Sequence, residues 1–429
     1  MTALRAPAVE SAPMLSPEDN ELLTRVGPDT PMGALLRRFW FPILLGSEIE
    51  EPDSEPMRVK VLGEFFVAFR DTQGRLGLLD ARCPHRGADL SFGLNEDGGL
   101  RCAQCAWKFD VEGNILDLPM EPEDSPLWKE ATAPAFKIRD YGGLVWAYVG
   151  PQDDVPDLPE FEWTRVPADQ RYLSRFAVEC NYMQGVEGGL DAARVNALAA
   201  AETGEVASLG DDDEPAHTVR AMATDYGLIV GTALDADGEA PLDVQVTHWL
   251  MPFYTTAPAD RKGVLEGLAW VPIDDESTMA FAVTYDPKRP LSKRLLADIR
   301  RGKRIHPQLA EGTFRRKRNK DNGYSGSAKS TFAPFASRFT STFELAVACQ
   351  ETMGTIVDRS AETLGANDAA VESARKLLMT AAVDLMEGTV PVIVHHGEAY
   401  RVRSYAATVE RGKPFDEDEG VRAGVAAQV

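Results

Sequence analysis

The spacing of hydrophobic residues changes along the first part of the chain. Residues 16–41 carry apolar side chains at helical intervals, interrupted at Gly27-Pro28, and this pattern predicts short helices. Residues 57–80 follow the shorter period of strands, and residues 144–150 form a further apolar strand pattern. We therefore expect a helical start followed by an all-β region.

The second part of the chain alternates strand and helix patterns. Strand patterns at residues 227–231 and 244–250 precede a helical pattern that begins near Asp368 and stops at Gly388. A proline-rich stretch, residues 151–159, is typical of a linker. These patterns predict a disordered arm at residues 1–18, a first domain at residues 19–155 and a larger second domain at residues 156–429.

Composition narrows the range of functions. The chain has 429 residues, of which 44% are hydrophobic and 26% are charged, as is typical of a globular protein with sizeable cores. Its formal net charge of −22 argues against nucleic acid or an anionic membrane surface as a partner. The sequence has no apolar run long enough to span a membrane, no signal-peptide pattern and an odd number of cysteines, five. We therefore expect a cytoplasmic protein without a disulfide framework.

One segment, residues 300–322, is strongly basic. It contains nine Lys and Arg residues but only two acidic ones. Charge runs are commonly solvated, so we expect an exposed loop, and a contact with an acidic partner subunit is the alternative.

Four potential metal ligands lie in two pairs between residues 83 and 105. Cys83 and His85 have the spacing C-x-H, and after sixteen further residues Cys102 and Cys105 follow as C-x-x-C. Paired thiol and imidazole ligands on two short loops are what an iron–sulfur cluster or a zinc ion requires. The spacing therefore predicts a metal centre, and the alternative is a set of buried cysteines that bind no metal.

Several strings of the sequence resemble, in order, the α subunits of Rieske non-haem iron oxygenases of the phthalate-dioxygenase type. They are LSPEDNELLTRVGP at residues 15–28, DARCPHRGA at 80–88, WKFD at 107–110, CNYMQGVEGGLD at 180–191 and QETMGTIVDRS at 350–360. The resemblance implies an α+β fold. An all-β Rieske [2Fe–2S] domain would be followed by a larger catalytic-type domain, in which helices cover an antiparallel sheet.

The resemblance also assigns roles to the four potential ligands. Cys83 and Cys102 match the two thiolate ligands of a Rieske cluster, and His85 matches its first imidazole. Cys105 stands where the second histidine is expected, and Ala106 replaces the usual glycine beside it. A Cys3His set can hold a [2Fe–2S] cluster, with a potential below the Rieske range of roughly −150 to +300 mV. The same set suits tetrahedral zinc, so the cluster is our first expectation and zinc the alternative.

A second metal site of the family is degenerate in this sequence. In the family two histidines and a carboxylate hold a mononuclear iron, and the histidines follow an aspartate as D-x-x-H-x4-H. Here Asp191 is present, but Arg194 and Ala199 occupy the histidine positions and Ala346 the carboxylate position. We therefore expect neither mononuclear iron nor catalytic residues. Asp191, which bridges subunits in the family, would keep an interface role, and an ordinary helix-start carboxylate is the alternative.

The resemblance and the substitutions together predict a degenerate subunit, structural or electron-relaying, of a Rieske oxygenase complex that acts on an aromatic substrate. The expected partners are an intact α-type subunit, in a trimer or hexamer, and a reductase or ferredoxin. Two alternatives remain: an active oxygenase with rearranged ligands such as Glu344 and His248, and a zinc-stabilised Cys3His scaffold.

Overall fold

The computed structural model describes residues 15–191, 216–235, 241–259, 263–324 and 339–427. Most of the expected N-terminal arm therefore lies outside the described residues. Arg194 and Ala199, which the resemblance places at the expected histidine positions, lie outside them as well.

Two short helices open the described part of the chain. Helix α1 (Pro17–Thr24) and helix α2 (Pro31–Leu36) each have proline in the first turn, where its missing N–H costs nothing. The side chains of Ser16 and Thr30 cap them by accepting a backbone N–H from three residues further on. Helix α1 begins at Pro17, two residues before residue 19, where the first domain is predicted to start.

Small antiparallel sheets follow. Their strands are β1 (Phe41–Leu45), β2 (Met57–Val61), β3 (Glu64–Arg70), β4 (Leu76–Asp80), β5 (Leu94–Glu96), β6 (Gly99–Arg101), β7 (Lys108–Phe109), β8 (Ile115–Asp117), β9 (Lys137–Tyr141) and β10 (Leu144–Tyr148), with one short helix, α3 (Leu127–Glu130). They pair in the orders β1-β10-β9, β2-β3-β4 and β5-β6-β7-β8. The all-β region expected from the alternating pattern is thus present.

The larger part of the molecule is one antiparallel sheet with helices. Its strands are β11 (Arg171–Val178), β12 (Ala216–Thr224), β13 (Gly227–Asp235), β14 (Leu242–Leu250), β15 (Tyr254–Thr256), β16 (Leu265–Pro272), β17 (Thr278–Tyr285) and β18 (Tyr405–Val409). Their order is β11-β17-β16-β15-β14-β13-β12, and β18 pairs with β14. The helices are α4 (Glu162–Arg165), α5 (Tyr182–Leu190), α6 (Lys293–Arg300), α7 (Thr342–Thr352), α8 (Ala369–Met386) and α9 (Glu419–Val425). The α+β fold class is confirmed.

One hydrophobic core joins the two parts, and a smaller one lies within the first part. The main core contains Trp146 of β10, Trp270 of β16 and Leu378 of α8, so it crosses the predicted boundary at residue 155. The small core lies between residues 67 and 133 and includes Cys83 and Cys102. Strand β3 serves both cores, because its side chains alternate between its two faces.

Polar contacts also join the strand region to the large sheet, among them those of the β2–β3 hairpin. The backbone N–H groups of Leu62 and Gly63 donate to the carbonyl oxygens of Pro272 and Ile273, at 3.0 and 2.8 Å. Next to them, the Lys60 ammonium lies 2.6 Å from the carboxylate of Asp274. The β2–β3 hairpin is therefore fixed to the end of β16.

The prediction of an exposed loop at residues 300–322 is wrong at several positions. Arg316 is 1% exposed and forms an ion pair with Glu351 of α7, and Arg318 pairs with the fully buried Glu344 of the same helix. The segment therefore packs against α7 and neutralises its carboxylates. No helix in the described part of the chain is both long and apolar enough to cross a membrane.

Candidate metal centre

The predicted ligands lie on two loops with the same backbone pattern. In the first loop the N–H of Cys83 donates to the carbonyl oxygen of Ala88, and the N–H of Gly87 donates to that of Cys83, both at 2.8 Å. In the second loop Cys102 donates to Trp107 at 2.8 Å, and Ala106 donates to Cys102 at 2.9 Å. The two loops thus present Cys83 and Cys102 from equivalent positions.

Each loop has a residue in the left-handed backbone conformation, with positive φ, at the equivalent position. Gly87 has φ +76° and Ala106 has φ +62°. Glycine adopts this conformation without strain, whereas a Cβ atom makes it unfavourable by about 1–2 kcal/mol. Ala106 therefore keeps the loop geometry at an energetic cost.

The three thiols meet at the centre of this arrangement. The sulfur atoms of Cys83, Cys102 and Cys105 lie within 4.8 Å of one another, and those of Cys83 and Cys105 are 3.6 Å apart. Cys83 and Cys102 are buried in the small core, and Cys105 is half-buried. No other group of three His, Cys, Asp or Glu ligand atoms comes this close among the described residues.

The fourth predicted ligand, His85, is exposed next to this group. Its ring stacks on that of Trp107, with the centroids 4.7 Å apart and the planes inclined by 25°. Neither ring nitrogen of His85 belongs to the group of ligand atoms that lie within 4.8 Å of one another. Trp107, the stacking partner, lies two residues after Cys105. The spacing of cysteines and histidines did not predict this contact.

The environment of each thiol sets how readily it becomes a ligand. Burial raises the pKa of Cys83 to about 12, and burial also raises the pKa of Cys105. Burial acts on Cys102 in the same direction, but backbone N–H groups of Cys105 and Gln104 bind its sulfur, so its pKa is lowered. Metal ions bind thiolates, so metal binding here must release protons from thiols whose pKa is raised, those of Cys83 and Cys105.

Arg101 supports the second loop from the adjacent strand. Its guanidinium donates to the carbonyl oxygen of Ala106 at 2.8 Å and forms ion pairs with Glu96 and Asp117 at 3.0 and 2.8 Å. These contacts hold the strained residue in place. Sequence reasoning missed this residue, although it directly precedes Cys102.

The expected carboxylate position of the mononuclear site lies on α7. Ala346 is buried there at 5% exposure and offers no donor atom. Glu344 is fully buried, and one of its oxygens accepts bonds from Arg318 at 3.3 Å and from the Thr340 hydroxyl at 2.8 Å. Asp191 is the C-terminal cap of α5, directly before the residues that are not described.

Two buried histidines, His248 of β14 and His306 of the basic segment, are engaged in hydrogen bonds. The Nε2 atom of His248 lies 2.9 Å from the carbonyl oxygen of Arg403, and Nδ1 lies 2.9 Å from the Tyr226 hydroxyl. Because a carbonyl only accepts, Nε2 carries the proton and Nδ1 accepts from Tyr226. His306 is held between the hydroxyls of Ser174 and Thr284, at 2.6 and 2.8 Å.

The donor set matches the needs of the cluster that the resemblance implies. Iron in such clusters accepts both thiolates and imidazoles, and the present residues supply three thiols and a neighbouring imidazole on two loops. The chemistry of these donors fits a [2Fe–2S] cluster. Cys83, Cys102, Cys105 and His85 would hold it, and it would supply one-electron transfer.

Comparisons with known families and proteins agree with this geometry. Residues 39–137 match the Rieske [2Fe-2S] domain, and residues 147–423 match the family described as LigXa C-terminal domain like. The phthalate 4,5-dioxygenase oxygenase subunit of Pseudomonas putida is 31% identical over 392 residues, which are 87% of this chain and 88% of that protein. The 3-chlorobenzoate-3,4-dioxygenase oxygenase subunit of Comamonas testosteroni is 32% identical over 407 residues, covering 89% and 92%.

A solved structure supports the fold independently. The NdmA QL mutant of Pseudomonas putida CBB5 with theobromine superposes with a TM-score of 0.57 at 18% identity, covering 89% of this chain and 99% of that one. At this identity the likeness concerns the fold alone. The sequence matches go further, since they span both domains and almost the full length of the relatives. The resemblance seen in the sequence is confirmed, and the chain belongs to the family of Rieske oxygenase α subunits.

Proposed function

We propose that this chain is an α-type subunit that does not activate dioxygen itself and that assembles with an intact α-type subunit. Its own metal centre, at Cys83, His85, Cys102 and Cys105, would relay or store electrons or stabilise the fold. The observation that carries this proposal concerns the side chains of helix α7 and their ion pairs. The helix that should supply an iron ligand has alanine at position 346, and arginines neutralise its buried carboxylates at 344 and 351.

The histidines of the described residues support the same proposal. An iron site of this family needs two imidazoles with free nitrogens beside a carboxylate. Both nitrogens of His248 and of His306 are already bound to hydroxyl or carbonyl groups. This argues against the alternative of rearranged ligands at Glu344 and His248, since Glu344 is also paired with Arg318. The sequence gives a further argument against bound iron, because Arg194 and Ala199 occupy the expected histidine positions.

Metal analysis and oxygen uptake of the purified chain alone test the proposal. We expect no iron beyond that of a cluster and no oxygen consumption with a reductant and an aromatic acid. The matched control is the triple variant Arg194→His, Ala199→His, Ala346→Asp, which should bind one additional ferrous ion. Additional iron with oxygen uptake in the unmodified chain would contradict the proposal.

Assembly and substrate are part of the same proposal. The two relatives named above are oxygenase subunits, and their names specify aromatic carboxylates. We therefore propose that the complex, rather than this chain alone, acts on an aromatic compound. A ferredoxin or reductase would deliver electrons to the complex.

A zinc-stabilised scaffold is the second candidate. The 3.6 Å separation of the Cys83 and Cys105 sulfurs suits ligands of a single tetrahedral ion. A Zn–S bond of about 2.3 Å places two such sulfurs about 3.8 Å apart. Colour separates the two candidates, because a [2Fe–2S] protein is brown and a zinc protein is colourless. One zinc per chain and no visible absorption would leave only the scaffold role.

A further inference from the structure

We propose that Cys83 and Cys105 are a redox switch: they form a disulfide that joins the two ligand loops and closes the site to metal. The proposal rests on the proposed metal centre, because it describes what happens to these ligands when no metal holds them. The substitution at position 105 creates the switch, since an imidazole there could not form such a bond.

The positions of the two sulfurs carry the proposal. They already lie 3.6 Å apart in direct contact, and a disulfide requires about 2.0 Å, so they must approach by about 1.6 Å. Rotation about the Cα–Cβ bonds and small shifts of two loops can supply this movement. Cys105 is half-buried and therefore open to an oxidant, whereas Cys83 is only 2% exposed and is protected behind it.

The three sulfurs differ in how many backbone N–H groups they accept. The sulfur of Cys102 accepts two, from Gln104 and Cys105 in its own loop, whereas those of Cys83 and Cys105 each accept one, from His85 and Trp107. The two bonds keep the Cys102 sulfur directed into the second loop. The contact between Cys83 and Cys105 instead crosses from one loop to the other, and the structure assigns the disulfide to this pair.

A small-molecule disulfide such as oxidised glutathione is a sufficient oxidant. The Cys105 thiolate attacks one of its sulfurs, forms a mixed disulfide and releases one small thiolate. The Cys83 sulfur then attacks Cys105, closes the protein disulfide and releases the second small thiolate. The two protein thiols lose two electrons and two protons in total, and the small disulfide becomes two thiols.

Oxidation and metal binding exclude one another. A disulfide removes two of the three thiolates and leaves only Cys102 and His85 as donors. Conversely, a metal centre that binds Cys83 and Cys105 occupies the lone pairs needed for the exchange reaction. Disulfides are rare in a reducing cytoplasm and, where they occur there, are commonly redox-sensing.

Peptide mapping of the full chain tests the bond directly. The chain is stripped of metal with a chelator under reducing conditions, exchanged into oxidised glutathione and alkylated without reduction. We expect the number of free thiols to fall from five to three, with a Cys83–Cys105 cross-link. In Cys83→Ser the reaction should stop at the mixed disulfide on Cys105, so one of its four thiols is lost and no cross-link forms. Cys105→Ser should keep all four of its thiols, whereas Cys349→Ser, outside the centre, should still lose two. A Cys102–Cys105 link, or five free thiols after treatment, would overturn the proposal.

Metal uptake separates this inference from the proposed function. Reduced, metal-free chain is offered Zn²⁺ before and after oxidation, and bound zinc is counted. We expect one ion per reduced chain, loss of binding on oxidation and recovery with a thiol reductant. If the reduced chain binds no metal yet forms the Cys83–Cys105 link, the metal centre fails and the disulfide stands. If the oxidised, cross-linked chain still binds zinc equally, the closing role is overturned.

Discussion

At the residue scale, a thiolate at position 105 adds one negative charge to the donor set compared with a neutral imidazole. Replacing Cys105 with histidine should therefore favour the reduced cluster and raise its potential by on the order of hundreds of millivolts. The potential should also depend more strongly on pH, because imidazoles can lose protons. Voltammetry of the loaded chain measures both effects, with Cys349→Ser as the control. A potential equal to that of the parent would contradict the assignment of Cys105 as a ligand.

Ala106 gives a second prediction at this scale. Because it has φ +62°, Ala106→Gly should raise the free energy of unfolding by about 1 kcal/mol. Gly87→Ala in the equivalent loop is the matched control and should lower it by a similar amount. Gly87 has no atom within 4 Å of an added Cβ, so only backbone strain would change there. Urea unfolding checks both variants, and identical midpoints for all three proteins would refute the strain argument.

The grouping of the three cysteines could be predicted from the sequence, because each pair of candidate ligands lies within a few residues on one loop, and their role as ligands stays a prediction. The spacing fixed Cys83 and Cys102 at equivalent loop positions and brought Cys105 to them. The stacking of His85 on Trp107 could not be read from the spacing, since it depends on how the two loops face each other. The predicted roles of Asp191, Arg194 and Ala199 stay predictions.

At the element scale, α7 and the basic segment form a ladder of buried ion pairs. Arg316 meets Glu351 and Arg318 meets Glu344, so alternate residues of an extended segment face one side of the helix. Tyr324 also donates to Glu351, at 3.1 Å. The ladder neutralises both of these buried carboxylates of α7.

Breaking this ladder should be costly. Arg316→Met leaves the carboxylate of Glu351 buried without its cation, and we expect a loss of about 3–5 kcal/mol of unfolding free energy. The double variant Arg316→Met, Glu351→Leu should recover a large part of this loss, since no unpaired charge remains. Arg315→Met is the control, because Arg315 is 43% exposed in its pair with Glu179 and should cost at most about 1 kcal/mol. A single variant as stable as the control would show that the pair contributes little.

The ladder explains where sequence reasoning failed at this scale. The helices and strands were predicted from periodicity, and α8 and β10 lie where the pattern placed them. The basic segment was read by itself as solvated, because nothing local shows that Glu344 and Glu351 lie opposite it. Ion pairs between residues that are distant along the chain depend on the folded structure. Composition and hydrophobic periodicity do not predict them.

At the scale of the whole molecule, buried histidines predict a stability that depends on pH. Burial lowers the pKa of His248 to about 4, and burial together with Arg304 lowers that of His306 to about 3. In the unfolded chain both protonate near pH 6.5, so below that pH the unfolded state binds more protons. Stability should therefore fall on acidification from about pH 6.5 towards pH 4, by about 1.4 kcal/mol per pH unit for each histidine.

Unfolding free energies between pH 7 and pH 5 check this expectation. His248→Gln should show a shallower decline than the parent, whatever its stability at pH 7. His395→Gln, at a side chain that is 44% exposed, should decline as the parent does. Equal slopes for the parent and His248→Gln would contradict the role of burial.

Assembly is the other prediction at this scale. We expect a trimer, or a hexamer of two trimers when an intact α-type subunit is present, because the family resemblance extends through both domains. Multi-angle light scattering of the full chain, alone and mixed with such a subunit, measures the mass. A stable monomer under both conditions would contradict the expectation.

The separate small core has a consequence for how this protein could have diverged. Because Cys83 and Cys102 pack within that core, a mutation in the ligand loops leaves the buried contacts of the large sheet intact. Metal ligands in the loops can therefore be lost by mutation while selection still maintains the fold of the large sheet. Under the proposed function, a duplicated gene lost the iron site and altered the cluster site in this way, while its product still folds.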